Sequence, residues 1–387
     1  METITVTDTI KYIGVDDKSI DLFESQYVVP HGVSYNSYVI LDDKITVMDS
    51  VDERGTDGWF ANLEEALAGK TPAYLVVSHL EPDHAGNIAV FAEKYPQAQL
   101  VLSAKAQSML PQFFTQDMSD RCVVVKEGDE LSLGSHTLTF IMAPMVHWPE
   151  VMVTYEKSEK VLFSADGFGK FGALDTKEDW ACEARRYYFN IVGKYGMQVQ
   201  GLLKKAAALD IQTICPLHGP VLKENLGFYI DKYNTWSSYA PEDQGILIAY
   251  ASVHGNTGTV AKKLADMLKT MGAPKVAVAD LARDDMAEVI EDAFRYDRMV
   301  LASVTYDAGL FPAMESLLAR LKSKNYQKRT VGLIENGSWA PMAGKIMKET
   351  LAGMKEITVL EPVVTVKSTL QTDSEAQLQA LAEALLA

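Results

Sequence analysis

At 387 residues the chain is long enough for two ordinary domains, and its 48% hydrophobic and 23% charged content is globular, with no apolar run of the roughly 18 residues that span a bilayer. The 36 Lys and Arg against 52 Asp and Glu give a net charge of −16, which repels nucleic acid and anionic lipid; it could steer a basic protein partner or simply keep the chain soluble. Cys122, Cys182 and Cys215 are never spaced C-x-x-C, so no disulfide framework, iron–sulfur module or rubredoxin-like knuckle is expected. The first residues lack the basic-then-apolar pattern of a secretory signal, and a cytoplasmic protein is the expectation.

In chain order, residues 38–41 and 45–48 read as strands around a turn at Asp42-Asp43, and the apolar runs 75–77 and 100–102 read as further strands. Apolar residues recur at helical spacing in 59–67 and 87–94, and strand character returns at 138–142 and 161–164. This is a β-rich α/β layout. From Gly245 the texture changes to strict alternation: strands 246–251, 276–278, 299–303, 331–334 and 357–366, separated and followed by helices 259–271, 285–294, 311–321, 341–351 and 374–386. Five β-α units in sequence predict a doubly wound five-stranded parallel sheet. Pro241 and the acids Glu242 and Asp243 mark the boundary, giving domains at 1–243 and 245–387.

The segment Leu75-Val-Val-Ser-His79-Leu-Glu81-Pro-Asp83-His84-Ala-Gly-Asn87 is an apolar strand that ends and delivers four ionisable groups within six residues. Burying such groups unpaired is costly, and a bound cation is the simplest compensation. Three further groups also stand at the ends of apolar runs: His147 after Phe140-Ile-Met-Ala-Pro-Met-Val, Asp166 after Val161-Leu-Phe-Ser-Ala, and His218 after Thr213-Ile-Cys-Pro-Leu. Taken singly, each of these three is more often structural than ligating. Together with the first loop they make four imidazoles and three carboxylates, a set rich enough in carboxylate to suit a metal that cycles between oxidation states.

The second half opens with Ile246-Leu-Ile-Ala-Tyr-Ala-Ser252-Val-His254-Gly255-Asn256-Thr257-Gly258-Thr259, a strand that runs into hydroxyls, glycine and a helix start. Free N–H groups at a helix N-terminus beside small hydroxyls suit a phosphate without a lysine. Two later loops follow strands on the same edge: Ser303-Val-Thr305-Tyr306-Asp307-Ala-Gly309 and Asn336-Gly337-Ser338-Trp339-Ala340. Backbone donors there, with Thr305-Tyr306 and Trp339, suit an isoalloxazine ring. FMN fits better than a dinucleotide, because no G-x-G-x-x-G loop occurs.

The metal residues resemble the metallo-β-lactamase superfamily, whose first loop is typically H-x-H-x-D-H; here Glu81 takes the second position. With His147, Asp166 and His218, that change is similar to the flavodiiron proteins, which carry H-x-E-x-D at this loop, and the resemblance extends over nearly the whole chain because a flavodoxin-like domain follows. The Ser252 to Thr257 loop likewise resembles the flavodoxin phosphate loop, with His254 where an aromatic residue is common. Glu150 and Gly167 stand where the family usually has Asp and Ala. The resemblance implies a metallo-β-lactamase-like αβ/βα sandwich followed by a flavodoxin-like domain. It implies one iron on His79, Glu81 and His147, a second on Asp83, His84 and His218, Asp166 between them, and a pocket tyrosine near Tyr195. It also implies FMN, a separate donor such as rubredoxin, O2 or NO as substrate, and a head-to-tail homodimer or dimer of dimers. The alternative is a zinc hydrolase, a thioesterase or lactonase, with an accessory flavodoxin domain.

Overall fold

Short strands whose side chains are mostly apolar form the first part of the chain. The computed structural model describes residues 5–387; residues 1–4, on which the reading of the N-terminus partly rests, lie outside it. Contacts separate the chain into two units, Met1–Tyr188 with Met197–Asn234, and Phe189–Gly196 with Thr235–Ala387.

Among the described residues, the first unit contains a six-stranded sheet in the order Ile10–Tyr12, Tyr38–Ile40, Thr46–Met48, Tyr74–Val76, Gln99–Ser103, Cys122–Val125. A five-stranded sheet runs Glu130–Ser132, Thr137–Met142, Met152–Glu156, Val161–Phe163, Thr213–Cys215. In Thr137–Met142, Leu138 and Phe140 alternate with half-exposed threonines, so one side of the strand faces the core. They meet Tyr38, Met48, Val76 and Val101 of the other sheet in one buried cluster, with the Tyr38 and Phe163 rings edge to face at 5.5 Å. Helices Thr56–Leu67 and Ile88–Lys94 form where helical spacing appears in the sequence.

In the second unit, parallel strands take the order Val276–Asp280, Asp243–Ala251, Tyr296–Tyr306, Arg329–Asn336, Ile357–Val359. By position along the chain that order is 2-1-3-4-5, the doubly wound arrangement, with its switch point between the first and third strands. The single strand expected over 357–366 is interrupted: Ile357–Val359 pairs with the start of Arg329–Asn336 and Val364–Val366 with its end. Pro362 lies in the gap, where it has no N–H to give a ladder. Helices Asn256–Thr270 and Thr372–Leu386 cover one face through Val260, Leu264, Leu268, Leu378, Leu381 and Leu385.

Arg329, 2% exposed, ties the base of this unit together. Its guanidinium donates to the carbonyls of Tyr296 at 2.7 Å, Tyr239 at 2.8 Å and Gln327 at 3.0 Å, and to that of Phe294. Arg329→Met keeps the stem but strands those carbonyls. Each buried orphan costs about 1–3 kcal/mol, so urea denaturation should show a loss of at least about 3 kcal/mol in the second unit. A loss within error of zero would mean water replaces the guanidinium without penalty.

Candidate metal centre and flavin pocket

Ligand-type side chains stand where strands of both sheets of the first unit end. His79 follows Tyr74–Val76, and Glu81, Asp83 and His84 follow it through the short helix Pro82–Ala85. His147 comes after Thr137–Met142, Asp166 after Val161–Phe163, and His218 after Thr213–Cys215. The seven residues form two groups, His79, Glu81, His147 and Asp166 in one, and Asp83, His84 and His218 in the other, and the ligand atoms within each lie within 4.8 Å of one another.

Asp166 joins the groups. Its Oδ2 lies 3.2 Å from His147 Nε2 and 3.4 Å from His79 Nε2, while its Oδ1 lies 3.3 Å from His84 Nε2 and 3.8 Å from His218 Nε2. Glu81 Oε2 faces His79 and His147 at 3.1 and 3.0 Å. Asp83 Oδ2 is 3.3 Å from Nε2 of both His84 and His218. The Nε2 atoms of His84 and His218 point at each other across 3.0 Å, and a cation in that space would take both lone pairs. Buried oxygens Asp83 Oδ1 and Asp166 Oδ1 have no hydrogen-bond partner. These observations fit a pair of metal ions.

Outer contacts aim the rings. Glu150 Oε1 accepts from His79 Nδ1 at 2.8 Å and from the Leu80 N–H at 3.0 Å, which turns His79 Nε2 to the cluster. His218 Nδ1 donates to the Ser34 carbonyl at 2.7 Å. The loop that carries His218 is tied down by Asn36, whose Nδ2 donates to the carbonyls of Pro216 and Gly219 at 2.8 and 2.7 Å, and by the Tyr38 hydroxyl on Pro216 at 2.7 Å. His84 Nδ1 is buried without such a partner, so that ring is held from its Nε2 side, by Asp83 and Asp166, and by packing. Asp49, at the end of Thr46–Met48, accepts the Ser78 N–H at 2.7 Å; burial lifts its carboxyl to about 6 despite that bond. Sequence reasoning passed over Ser34, Asn36 and Asp49, whose part is visible only through tertiary contacts.

Burial opposes charge on the imidazoles, yet the carboxylates prevail. Glu150 and Glu81 hold His79 well above its usual value, and Asp166 and Glu81 hold His147 up at about 9. Burial likewise opposes charge on Glu81, but His147 and His79 bring it down to about 2, and His147 and His84 keep Asp166 well below the carboxylate range. Without cations the carboxylates thus favour the imidazolium form of His79 and His147, and a metal binding there must displace protons. The aromatic ring beside His218 is Tyr187, 5.4 Å away between centroids, with Phe23 at the same separation. Tyr195 belongs to the short turn Gly193–Tyr195 of the other unit.

In the second unit a pocket of about 510 Å³, within the ~300–1,000 Å³ of small-molecule sites, opens at the carboxyl edge of the sheet. Of the residues picked out in the sequence it gathers Ser252, His254, Asn256, Thr257, Thr305, Tyr306, Asp307, Asn336, Gly337, Ser338 and Trp339. Gly255 and Gly309 are absent from the lining and act through the backbone. Gly255, at φ 90°, is the N-cap of Asn256–Thr270, with its N–H donated to Ser252 Oγ at 3.1 Å; Gly309 pairs back on Tyr306. Thr305 Oγ1 accepts the Met342 and Ala343 N–H groups at 2.9 and 3.2 Å, capping the helix Ala343–Ala352. Ser368, not singled out in the sequence, also lines the pocket, with Oγ 2.6 Å from Ser338 Oγ; its position just beyond the last strand was the available signal. The lining contains no Lys or Arg, so a phosphate here would rely on the helix N-terminus and hydroxyls.

Three outcomes follow from this geometry. Glu150→Ala frees the His79 ring and should weaken metal binding about 10–100-fold in chelator competition. In the metal-free protein the raised His147 value stabilises the fold below the ordinary imidazole value and that contribution fades as pH rises through about 9. Thermal melts of the metal-free protein should therefore decline across that interval while metal-loaded protein does not; parallel curves would exclude the proton–metal exchange. Thr257→Val removes a buried hydroxyl that accepts from Asn336 Nδ2 at 3.3 Å and should lower flavin affinity with metal content unchanged.

Family models match both parts of the chain. Residues 33–219 match the model described as ODP family beta lactamase and residues 247–367 a flavodoxin domain. A nitric oxide reductase of Moorella thermoacetica is 31% identical over 95% of this chain and 94% of its own length. The structure of rubredoxin oxygen:oxidoreductase from Desulfovibrio gigas superposes with a TM-score of 0.93 at 26% identity, covering 100% of this chain and 99% of that one. The flavodiiron protein of Giardia intestinalis shares the fold, with a TM-score of 0.91 at 24% identity over 100% of this chain and 96% of its own. With two metal-type groups joined by one carboxylate, and a flavodoxin domain following in the sequence, this chain belongs to the flavodiiron protein family.

Proposed function

We propose that the protein is a flavodiiron oxidoreductase that passes electrons from an external carrier through FMN to a non-haem diiron site, reducing O2 to water, NO to N2O, or both. The observation that carries this reading is the division of Asp166 between two groups, one of which has Glu81 where a zinc hydrolase of this fold would have an imidazole. The similar proteins are named as reductases of nitric oxide or oxygen, which favours this reading over hydrolysis.

His79, Glu81 and His147 would hold one iron and Asp83, His84 and His218 the other, with Asp166 offering an oxygen to each. Ser252, Asn256 and Thr257 would hold the FMN phosphate, and Tyr306, Trp339 and the backbone of residues 305–309 and 336–338 its ring. FMN supplies electrons singly or in pairs, and two irons together supply two electrons to one small molecule. Glu150 and the Ser34 carbonyl would hold the His79 and His218 rings with Nε2 free for the metals. We assign these roles to domains 1–243 and 245–387.

We infer a head-to-tail homodimer or dimer of dimers in which the flavin of one copy serves the irons of the other. Trp339 at 92% and Tyr306 at 45% exposed give the flavin pocket an aromatic rim for a partner to cover. Rubredoxin, the carrier named in the Desulfovibrio gigas relative, is the donor we assign. We place the protein in the cytoplasm, where thiols stay reduced; Cys122, Cys182 and Cys215 form no disulfide. Among the described residues no helix is long and apolar enough to cross a membrane.

Purified protein should contain two irons and one FMN per chain and, reduced anaerobically by a rubredoxin system, should consume O2 or NO. Asp166→Ala should lose iron and turnover while FMN still reduces. Colourless zinc protein with hydrolase activity, or full turnover in Asp166→Ala, would refute the reading.

A further inference from the structure

Helix Gly196–Ala206 carries Val199, Leu202, Leu203 and Ala206 at the i, i+3, i+4, i+7 spacing of an apolar stripe. Facing that stripe are Ile141, Val153 and Leu162 on three neighbouring strands, with Ile141 paired to Val153. These three alternate with Phe140, Met152 and Phe163, which point into the core between the sheets. The helix and the sheet do not close completely. A cavity remains between them, offering about 20 Å³ to a water-sized molecule.

Two features distinguish it from an ordinary packing defect. Its wall includes Val146, directly before His147, and Gly167 and Phe168, directly after Asp166, so two of the loops that carry ligand residues form its end. The hydroxyls that border it are engaged: Ser164 Oγ donates to the Gly167 carbonyl at 2.6 Å, and Tyr233 Oη accepts the Phe168 N–H at 2.6 Å. A water needs roughly 10–15 Å³ and two to four polar partners; this space has the room for one, but its wall is almost wholly apolar. Dry cavities walled by aliphatic side chains take apolar guests such as xenon. Uncharged diatomic gases belong to that class, and among solutes the size of one water they are the ones that need no hydrogen bond.

We propose that this cavity binds one molecule of an uncharged diatomic gas and holds the substrate of the metal site directly behind the loops bearing His147 and Asp166. The role as a substrate store rests on the reductase reading, whereas gas binding in the cavity does not.

Xenon is the probe. Crystals of the full-length protein under xenon pressure should show one atom between Val199, Leu202 and Leu162. Val199→Phe should fill the space and exclude xenon; Leu202→Ala should enlarge it and raise xenon occupancy. Neither residue bears on the ligand or flavin contacts. With xenon excluded, Val199→Phe should raise KM for the gas by about five-fold while kcat at saturating gas stays within about two-fold, the pattern of lost binding without lost chemistry. Absence of xenon from both wild type and Leu202→Ala overturns the proposal, and so does an unchanged KM in a folded Val199→Phe that excludes xenon. Should Val199→Phe not fold, Leu202→Ala decides alone, since an occupancy no higher than wild type counts against the site. A wild-type protein that consumes neither gas sinks the reductase reading, and xenon occupancy still tells whether the cavity binds.

Discussion

One carboxylate has to satisfy two groups of imidazoles at once, and much of the first unit is arranged around that demand. Asp166 is 1% exposed, and an ionised carboxylate so placed is costly unless positive charge meets both of its oxygens. The imidazoles that meet it come from different sheets: His79 and His84 follow a strand of the six-stranded sheet, whereas His147 and His218 follow strands of the five-stranded one. The distances around Asp166 therefore depend on how the sheets face each other, and the Tyr38, Phe140 and Phe163 core sets that relation. The turn itself is held locally, with the Gly169 N–H on the Asp166 carbonyl at 3.2 Å and the Leu217 N–H on that of Ala165 at 3.0 Å. The second of these bonds links the Asp166 loop directly to the His218 loop.

The seven ligand-type residues could be read from the sequence because each marks a local contradiction, strong polarity where an apolar strand stops. Their grouping could not be reached that way, since it depends on which strand ends meet, and the family resemblance supplied it. The supporting residues left no comparable mark. Ser34 contributes a backbone carbonyl and Asn36 an ordinary amide, and the reach of either to a loop some 180 positions along the chain appears only in the folded structure. Glu150 was noticed as a departure from the family pattern, and its contact with His79 shows that the longer side chain still reaches the ring.

The second unit was more legible because its signals are repetitive and local. Alternating strands and helices specify a parallel sheet, and the sheet alone places the loops after its strands along one edge. What escaped was backbone detail. Residues 357–366 look like one strand by composition, but a proline in the middle divides the pairing between two short pieces. Gly255 and Gly309 were read as ligand contacts because they sit inside the motifs. Each also lets the chain turn, one through a left-handed cap and the other through a tight return onto Tyr306.

Two spaces of different character border the ligand loops. Toward the surface lies a cleft of about 250 Å³ bordered by Glu24, Asp52, Arg54, Glu81 and Asp83. Glu24 stands exposed at the mouth of this cleft, and the nearby Glu81 charge adds to the upward push on its carboxyl. Behind the cluster, the space under helix Gly196–Ala206 is walled by Val146, Val153, Leu162 and Val199, with its hydroxyls already engaged. Reduction of O2 or NO consumes protons as well as gas, and the two have opposite solvation requirements: protons travel on titratable groups and water, while the gas favours a dry apolar wall. A site built at the edge of a sandwich meets both, because the loop carrying Glu81 and Asp83 borders the charged cleft while those carrying His147 and Asp166 border the apolar layer between helix and sheet.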